Sequence, residues 1–131
     1  MSDFLLHHYW PSPFAHKVRI ALNMIGATWT SVEIPRVPPK PLLIPMTAGY
    51  RRTPVMQHGA DIHCDTQNIA RALAEAGYEE ALFPNGRRGL LMALSGWIEQ
   101  AIVELAVRAV ITCAFGTAPP VFIKVRGDLY F

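Results

Sequence analysis

A chain of 131 residues suits one domain, or one domain plus a fragment of a second. Its 51% hydrophobic and 17% charged content excludes a disordered chain, and a formal net charge of +2, with no long run of Lys or Arg, gives no case for a nucleic-acid partner. Two cysteines, Cys64 and Cys113, with no CxxC spacing, give neither a disulfide framework nor a zinc site, so a cytoplasmic location and no metal are the expectations.

The apolar run Phe4–Tyr9 reads as a buried strand. It is too short for a signal peptide and already contains His7 and His8. Ser12-Pro13 follows, with Pro13 suited to a first helical position and Ser12 to the N-cap. Phe14, Val18, Ala21, Leu22 and Ile25 recur at helical spacing, and Gly26 supplies the stop. Trp29–Ile34 is rich enough in β-branched residues for a second strand. A β-α-β opening favours a right-handed crossover and a parallel strand pair.

Pro35 to Tyr50 holds five of the eleven prolines, so a loop with one short helix is expected there. Residues 54–58 and 61–63 flank Gly59-Ala60, which predicts a hairpin with a two-residue turn. Asp65 can cap a helix over Thr66–Ala76, with Ile69, Ala70 and Leu73 on one face and Gly77 at its end.

Phe83-Pro-Asn-Gly86 reads as a linker. From about Arg88 a wide apolar stripe runs through Leu90, Leu91, Leu94, Trp97, Ile98, Ala101, Ile102 and Leu105, and on to Cys113. It predicts a long helix with partners on more than one side. Glu99, Glu104 and Arg108 interrupt the run and argue against a membrane span. After Gly116 the tail Thr117–Phe131 is Pro-containing and ends on apolar residues.

Four features together resemble the N-terminal, thioredoxin-like domain of glutathione S-transferases. They are Trp10-Pro-Ser-Pro-Phe14 followed by Lys17-Val-Arg-Ile-Ala-Leu22, Thr53-Pro54-Val55, Asp65-Thr66, and the β-α-β-loop-β-β-α order. The first is similar to the opening of tau-like, serine-type members, and the second stands where the family has its cis-proline. Each is weak alone, and their order and spacing carry the match. The implied fold class is α/β: a thioredoxin-like domain over residues 1–82, then residues 83–131 as a linker and the start of an incomplete all-α C-terminal domain. The stripe from Arg88 resembles the first helix of that second domain. A single helix cannot bury it, which leaves a natural chain longer than this one, heavy dimerisation through the helix, or partial disorder; the expectation is a chain running beyond Phe131, together with the homodimer usual in the family.

The resemblance also implies a chemistry, with glutathione as co-substrate and an electrophilic small molecule as its partner, in a detoxifying transferase. A free thiol has a pKa of about 8.5, and only the thiolate is a good nucleophile. Lowering that pKa by two units takes roughly 2.7 kcal/mol of preferential thiolate stabilisation. A hydroxyl donor and a helix N-terminus can supply it, and by resemblance Ser12 is the catalytic donor. Ser12 can also be a plain N-cap. Tyr9 is a rival donor with packing as its alternative role, because some classes use a tyrosine at the end of the first strand. A serine cannot form the mixed disulfide that a cysteine would, which favours conjugation, thiolytic cleavage or isomerisation over glutaredoxin-like reduction.

By the same resemblance, Phe14 lies beside the glutathione site, and Thr53, Pro54 and Val55 offer backbone to the cysteinyl part. Asp65 accepts the γ-glutamyl ammonium, while Thr66 with its helix N-terminus takes the carboxylate. Arg52 is the cation for the glycyl carboxylate. Arg51 and Lys40 are considered for that role and expected instead as solvated surface charges; His16 is expected as an exposed polar residue and Cys64 as a buried strand-end cysteine. Asp and Thr stand at 65 and 66 where the family usually has Glu and Ser, so the carboxylate at 65 is carried on a side chain one methylene shorter. A non-catalytic module that binds glutathione or a protein through the same fold is the alternative.

Overall fold

A computed structural model describes residues 3–114 and 117–130. Gly116, after which the tail is placed, and the terminal Phe131 lie outside them. Contacts divide the chain into two units, one up to Leu91 and one from Met92 onward.

The first unit is built on β1 (Phe4–His8), α1 (Pro13–Met24), β2 (Trp29–Glu33), α2 (Leu43–Met46), β3 (Val55–His58), β4 (Asp61–Cys64) and α3 (Thr66–Leu73). The strands lie in the order β2-β1-β3-β4. β1 runs parallel to β2 and antiparallel to β3, and β3 is antiparallel to β4. This is the thioredoxin-like arrangement. The β1–β2 pair needs a crossover, which α1 supplies. The β3–β4 pair needs only Gly59-Ala60, where Gly59 sits at φ +61°. A side chain there would be strained, and glycine avoids the cost.

Alternation along β1 puts Phe4, Leu6 and His8 on one buried face. Phe4 and Leu6 meet Val18 and Leu22 of α1, Met56 of β3, and Ile69, Ala72 and Leu73 of α3. The buried stripe of α1 is Ala15, Val18, Arg19 and Leu22. Its residues are spaced i, i+3, i+4, i+7, as one helical face requires. Phe14, expected on that stripe, is only half-buried, and Ala21 and Ile25 pack at the edge of the core. An arginine, Arg19, takes a place in the stripe instead.

The α3 helix runs on to the glycine that the sequence marks as its end. It passes into a π-helical turn over Ala74–Tyr78, broken by Gly77 at φ +105°, and α4 (Glu79–Leu82) follows. A short 3-10 turn over Pro84–Gly86 stands at the expected linker. Arg88 opens α5 (Arg88–Ile98); its guanidinium lies 3.9 Å from Glu75 and 3.6 Å from Glu79 and stacks over Phe83.

The helix continues through a π-helical turn, Glu99–Val103, into α6 (Glu104–Ala114). The Pro-containing tail forms α7 (Pro120–Tyr130), which packs against α6. Proline suits its place at the head of α7, where an N–H would have no intrahelical partner. Leu90, Leu94, Trp97, Ile102, Leu105 and Val110 are all exposed. By length and composition alone, Arg88–Val110 is the one helix among the described residues able to cross a membrane. Glu104 and Arg108 within it form an i,i+4 pair at 3.0 Å.

Candidate functional site

Strand register brings the sequence-flagged residues to one end of the sheet. His7 near the end of β1 stands opposite Val55 at the start of β3, and Val55 stands opposite Cys64 at the end of β4. The connections leaving β1 and β4 and the one entering β3 therefore meet at the same edge. Ser12 follows β1, Thr53-Pro54 precedes β3, and Asp65-Thr66 follows β4.

Ser12 is the N-cap of α1, with extended φ/ψ of −72° and 121°, and Pro13 begins the helix. Its Oγ accepts from the Ala15 N–H at 3.2 Å. A hydroxyl has two acceptor lone pairs and one proton, so capping leaves the proton available. Among the described residues nothing accepts that proton. Ser12 is only 1% exposed, a setting that strengthens a hydrogen bond to a charge. The turn before it closes through Ser12 N–H donating to the Tyr9 carbonyl at 3.2 Å. Tyr9 itself is buried among core residues, and Phe14 sits half-buried one residue into the helix.

The Thr53–Pro54 peptide is cis, so Pro54 turns the chain into β3. Pro54 and Val55 are buried, Thr53 is half-buried, and Arg52 is exposed. Arg52 makes no hydrogen bond or ion pair among the described residues. Lys40 departs from its expected role: it is buried, and its Nζ donates to the Arg51 carbonyl at 3.0 Å. It braces the Pro-rich loop against the segment leading to Pro54, because a buried ammonium needs backbone acceptors. Arg51 is exposed, as is His16, and Cys64 is partly buried at the end of β4, where burial and Asp65 push its thiol pKa up. A raised pKa keeps that cysteine a thiol rather than a nucleophile.

Asp65 caps α3, with Oδ1 accepting from Gln67 N–H at 2.6 Å and Asn68 N–H at 3.1 Å. Its Oδ2 has no partner among the described residues. The backbone of Asp65 lies at φ +64°, ψ +158°. That region is essentially reserved for glycine, and a side chain held there stores about 1–3 kcal/mol. Thr66 is buried beside it, and Lys17 Nζ of α1 reaches Thr66 Oγ1 at 3.3 Å. Lys17 and the buried Arg19 were not flagged from sequence. Lys17 carries no local signal, since only the packing of α1 on α3 brings it there. Arg19 did carry one: a charge within a buried helical stripe.

The chain matches the family described as "Glutathione S-transferase, N-terminal domain" over residues 6–80. It belongs to the glutathione S-transferase family. It is 30% identical over 74 residues to glutathione S-transferase U22 of Arabidopsis thaliana, covering 56% of this chain and 34% of that one. It is 27% identical over 79 residues to the probable glutathione S-transferase parA of Nicotiana tabacum, covering 60% and 36%. Among solved structures, a GST-like protein from Pseudomonas syringae superposes with TM-score 0.70 at 39% identity, over 91% of this chain and 41% of that chain. Rice GST1, solved in complex with glutathione, gives TM-score 0.53 at 26% identity, over 56% and 33%. The matched segment thus spans about a third of the length of these curated relatives.

Proposed function

We propose that this chain carries the glutathione-binding half of a glutathione transferase, with Ser12 as the donor that holds the thiol as a thiolate. The observation carrying this reading is Ser12 itself. It is shielded from water and caps α1 through a lone pair, while its proton stays free beside the ends of β1, β3 and β4. The glutathione thiol gives up its proton to solvent. Ser12 and the N-terminal dipole of α1 stabilise the sulfur anion left behind. That anion attacks an electrophilic carbon, the C–S bond forms, and the leaving group departs with its bonding electrons.

The remaining roles follow the chemistry of each group. Val55 offers backbone to the cysteinyl residue, next to Thr53 and Pro54, and Phe14 packs beside the thiol. Asp65 Oδ2 takes the γ-glutamyl ammonium, Thr66 and the α3 N-terminus take its carboxylate, and Arg52 takes the glycyl carboxylate. The electrophile pocket, assembly as a homodimer, a cytoplasmic location and a role in detoxification belong to the same proposal. The exposed apolar face of α5 and α6 is consistent with a further helical segment or a second copy covering it.

The test is glutathione conjugation to an aromatic halide, comparing the parent chain with Ser12→Ala, alongside calorimetric glutathione binding. Turnover lost in Ser12→Ala with binding retained is the expected result. Equal turnover in both proteins removes Ser12 as the activator, and binding with no turnover in either favours a non-catalytic module.

A further inference from the structure

His8 is the third inward residue of β1, after Phe4 and Leu6, and is fully buried. Arg19 faces it from α1 and is 9% exposed. Arg19 Nη1 lies 3.1 Å from His8 Nδ1. Its Nη2 donates to the Trp10 carbonyl at 3.1 Å and lies 2.9 Å from His16 Nδ1. The guanidinium also stacks over the Trp10 ring at 4.8 Å, and the His8 ring meets Trp10 edge-on at 5.0 Å.

A guanidinium only donates, so both histidines must present Nδ1 as an acceptor. His8, buried against the Arg19 charge, is therefore neutral, with its proton on Nε2. His8 then donates from Nε2 to Ser31 Oγ at 2.8 Å, which ties the cluster to β2. Trp10 belongs to the turn that closes between Tyr9 and Ser12. Arg19 stands seven residues after Ser12, almost two full helical turns, so both lie on the same face of α1.

We infer that Arg19 is a positioning residue: its planar fork, set by His8 and His16, clamps the Trp10 carbonyl and so fixes the turn that presents the Ser12 hydroxyl. The catalytic consequence rests on the reading of Ser12 as the thiol donor; the clamp on the turn does not. Lysine cannot replace the fork, because one ammonium nitrogen cannot bridge His8, His16 and Trp10 in a plane. A misplaced donor loses rate steeply, by about tenfold to a hundredfold for shifts near an ångström.

Two measurements on the full chain test this, with Arg19→Met, Arg19→Lys and Ser12→Ala. The first is amide hydrogen exchange without glutathione. Protection of the Ser12 and Ala15 N–H groups is expected to fall at least about tenfold in both Arg19 variants, while the β3 amides keep theirs. The second is the pH titration of bound glutathione, followed by thiolate absorbance. The apparent thiol pKa is expected to rise in both Arg19 variants and in Ser12→Ala, with glutathione affinity little changed.

Unchanged Ser12 and Ala15 protection in a folded Arg19 variant overturns the inference. So does wild-type behaviour of Arg19→Lys, since a point charge then suffices. If Arg19→Met fails to fold, Arg19→Lys carries the same comparison. Lost protection combined with an unshifted thiol in Ser12→Ala upholds the clamp and refutes the proposed role of Ser12.

Discussion

Asp65 is held at a cost, and the cost has a testable size. Its φ of +64° and ψ of +158° lie where glycine alone is comfortable. Replacing it with glycine releases about 1–3 kcal/mol of backbone strain. Two terms oppose the gain. Glycine caps a helix only a few tenths of a kcal/mol less well than Asp, and its freer unfolded chain costs about 0.5–1 kcal/mol. The balance for Asp65→Gly is therefore between about zero and 2 kcal/mol of added stability. Asp65→Asn makes the control. It keeps the cap and the strain, and removes only the charge. Urea unfolding of the three proteins reads the stability, and glutathione calorimetry reads the site. Both variants are expected to lose glutathione affinity, by about tenfold to a hundredfold, the worth of one charge-assisted hydrogen bond. A glycine variant more than about 1 kcal/mol less stable than the parent refutes the strain argument. Unchanged affinity in both variants refutes the assignment of Asp65 to the ligand.

Ser12→Ala should lower stability by about 1 kcal/mol through the lost cap, and Ser12→Gly by only a few tenths, yet both should raise the bound thiol pKa equally. Unequal thiol shifts would tie activation to helix capping rather than to the hydroxyl. Leu6→Ala, at a fully buried core position, should cost about 2–5 kcal/mol in denaturant unfolding, and a loss under about 1 kcal/mol would contradict the packing. Burial pushes the pKa of His7 and of His8 below the usual 6.5, with the Arg19 charge adding to the effect at His8. Their neutral forms therefore favour the fold. That contribution is complete above about pH 6.5 and drains away below it, because the unfolded chain takes up protons first. The urea midpoint should fall between pH 7.5 and about pH 5.5, and His8→Asn should flatten the fall; a pH-independent midpoint would count against it.

The elements with a strong local signature were legible in the sequence. Ser12-Pro13 announced the start of α1, and Gly59-Ala60 announced the hairpin, because capping and turn chemistry act over two or three residues. Asp65 was legible as a cap but not as a strained residue, since nothing in the local sequence demands a positive φ. Lys40 misled for a related reason. A lysine in a Pro-rich stretch looks solvated, and only the folded loop places the Arg51 carbonyl within its reach. Gly77 announced the break after α3, where it stands at φ +105°, but nothing local announced the loosening into a π-helical turn from Ala74. Arg19 was hidden in plain view. Apolar residues define a helical stripe by themselves, and the charge at Arg19 falls within it only because the fold supplies partners for a buried guanidinium.

One register unites these features. The alternation that sends Phe4 and Leu6 into the core also sends His8 inward, at the level where β1 leaves the sheet. A slip of one residue in β1 would turn His7 inward instead and expose Phe4 and Leu6. The core and the candidate site would then fail together, because Arg19 would lose its His8 acceptor and the Trp10–Ser12 turn its clamp. The position of Ser12 is therefore not set by its own cap alone. It is set from below by the hydrophobic pattern of β1 and from the side by the guanidinium of α1. That arrangement explains why a chain so apolar keeps an arginine and a histidine at the rim of its core.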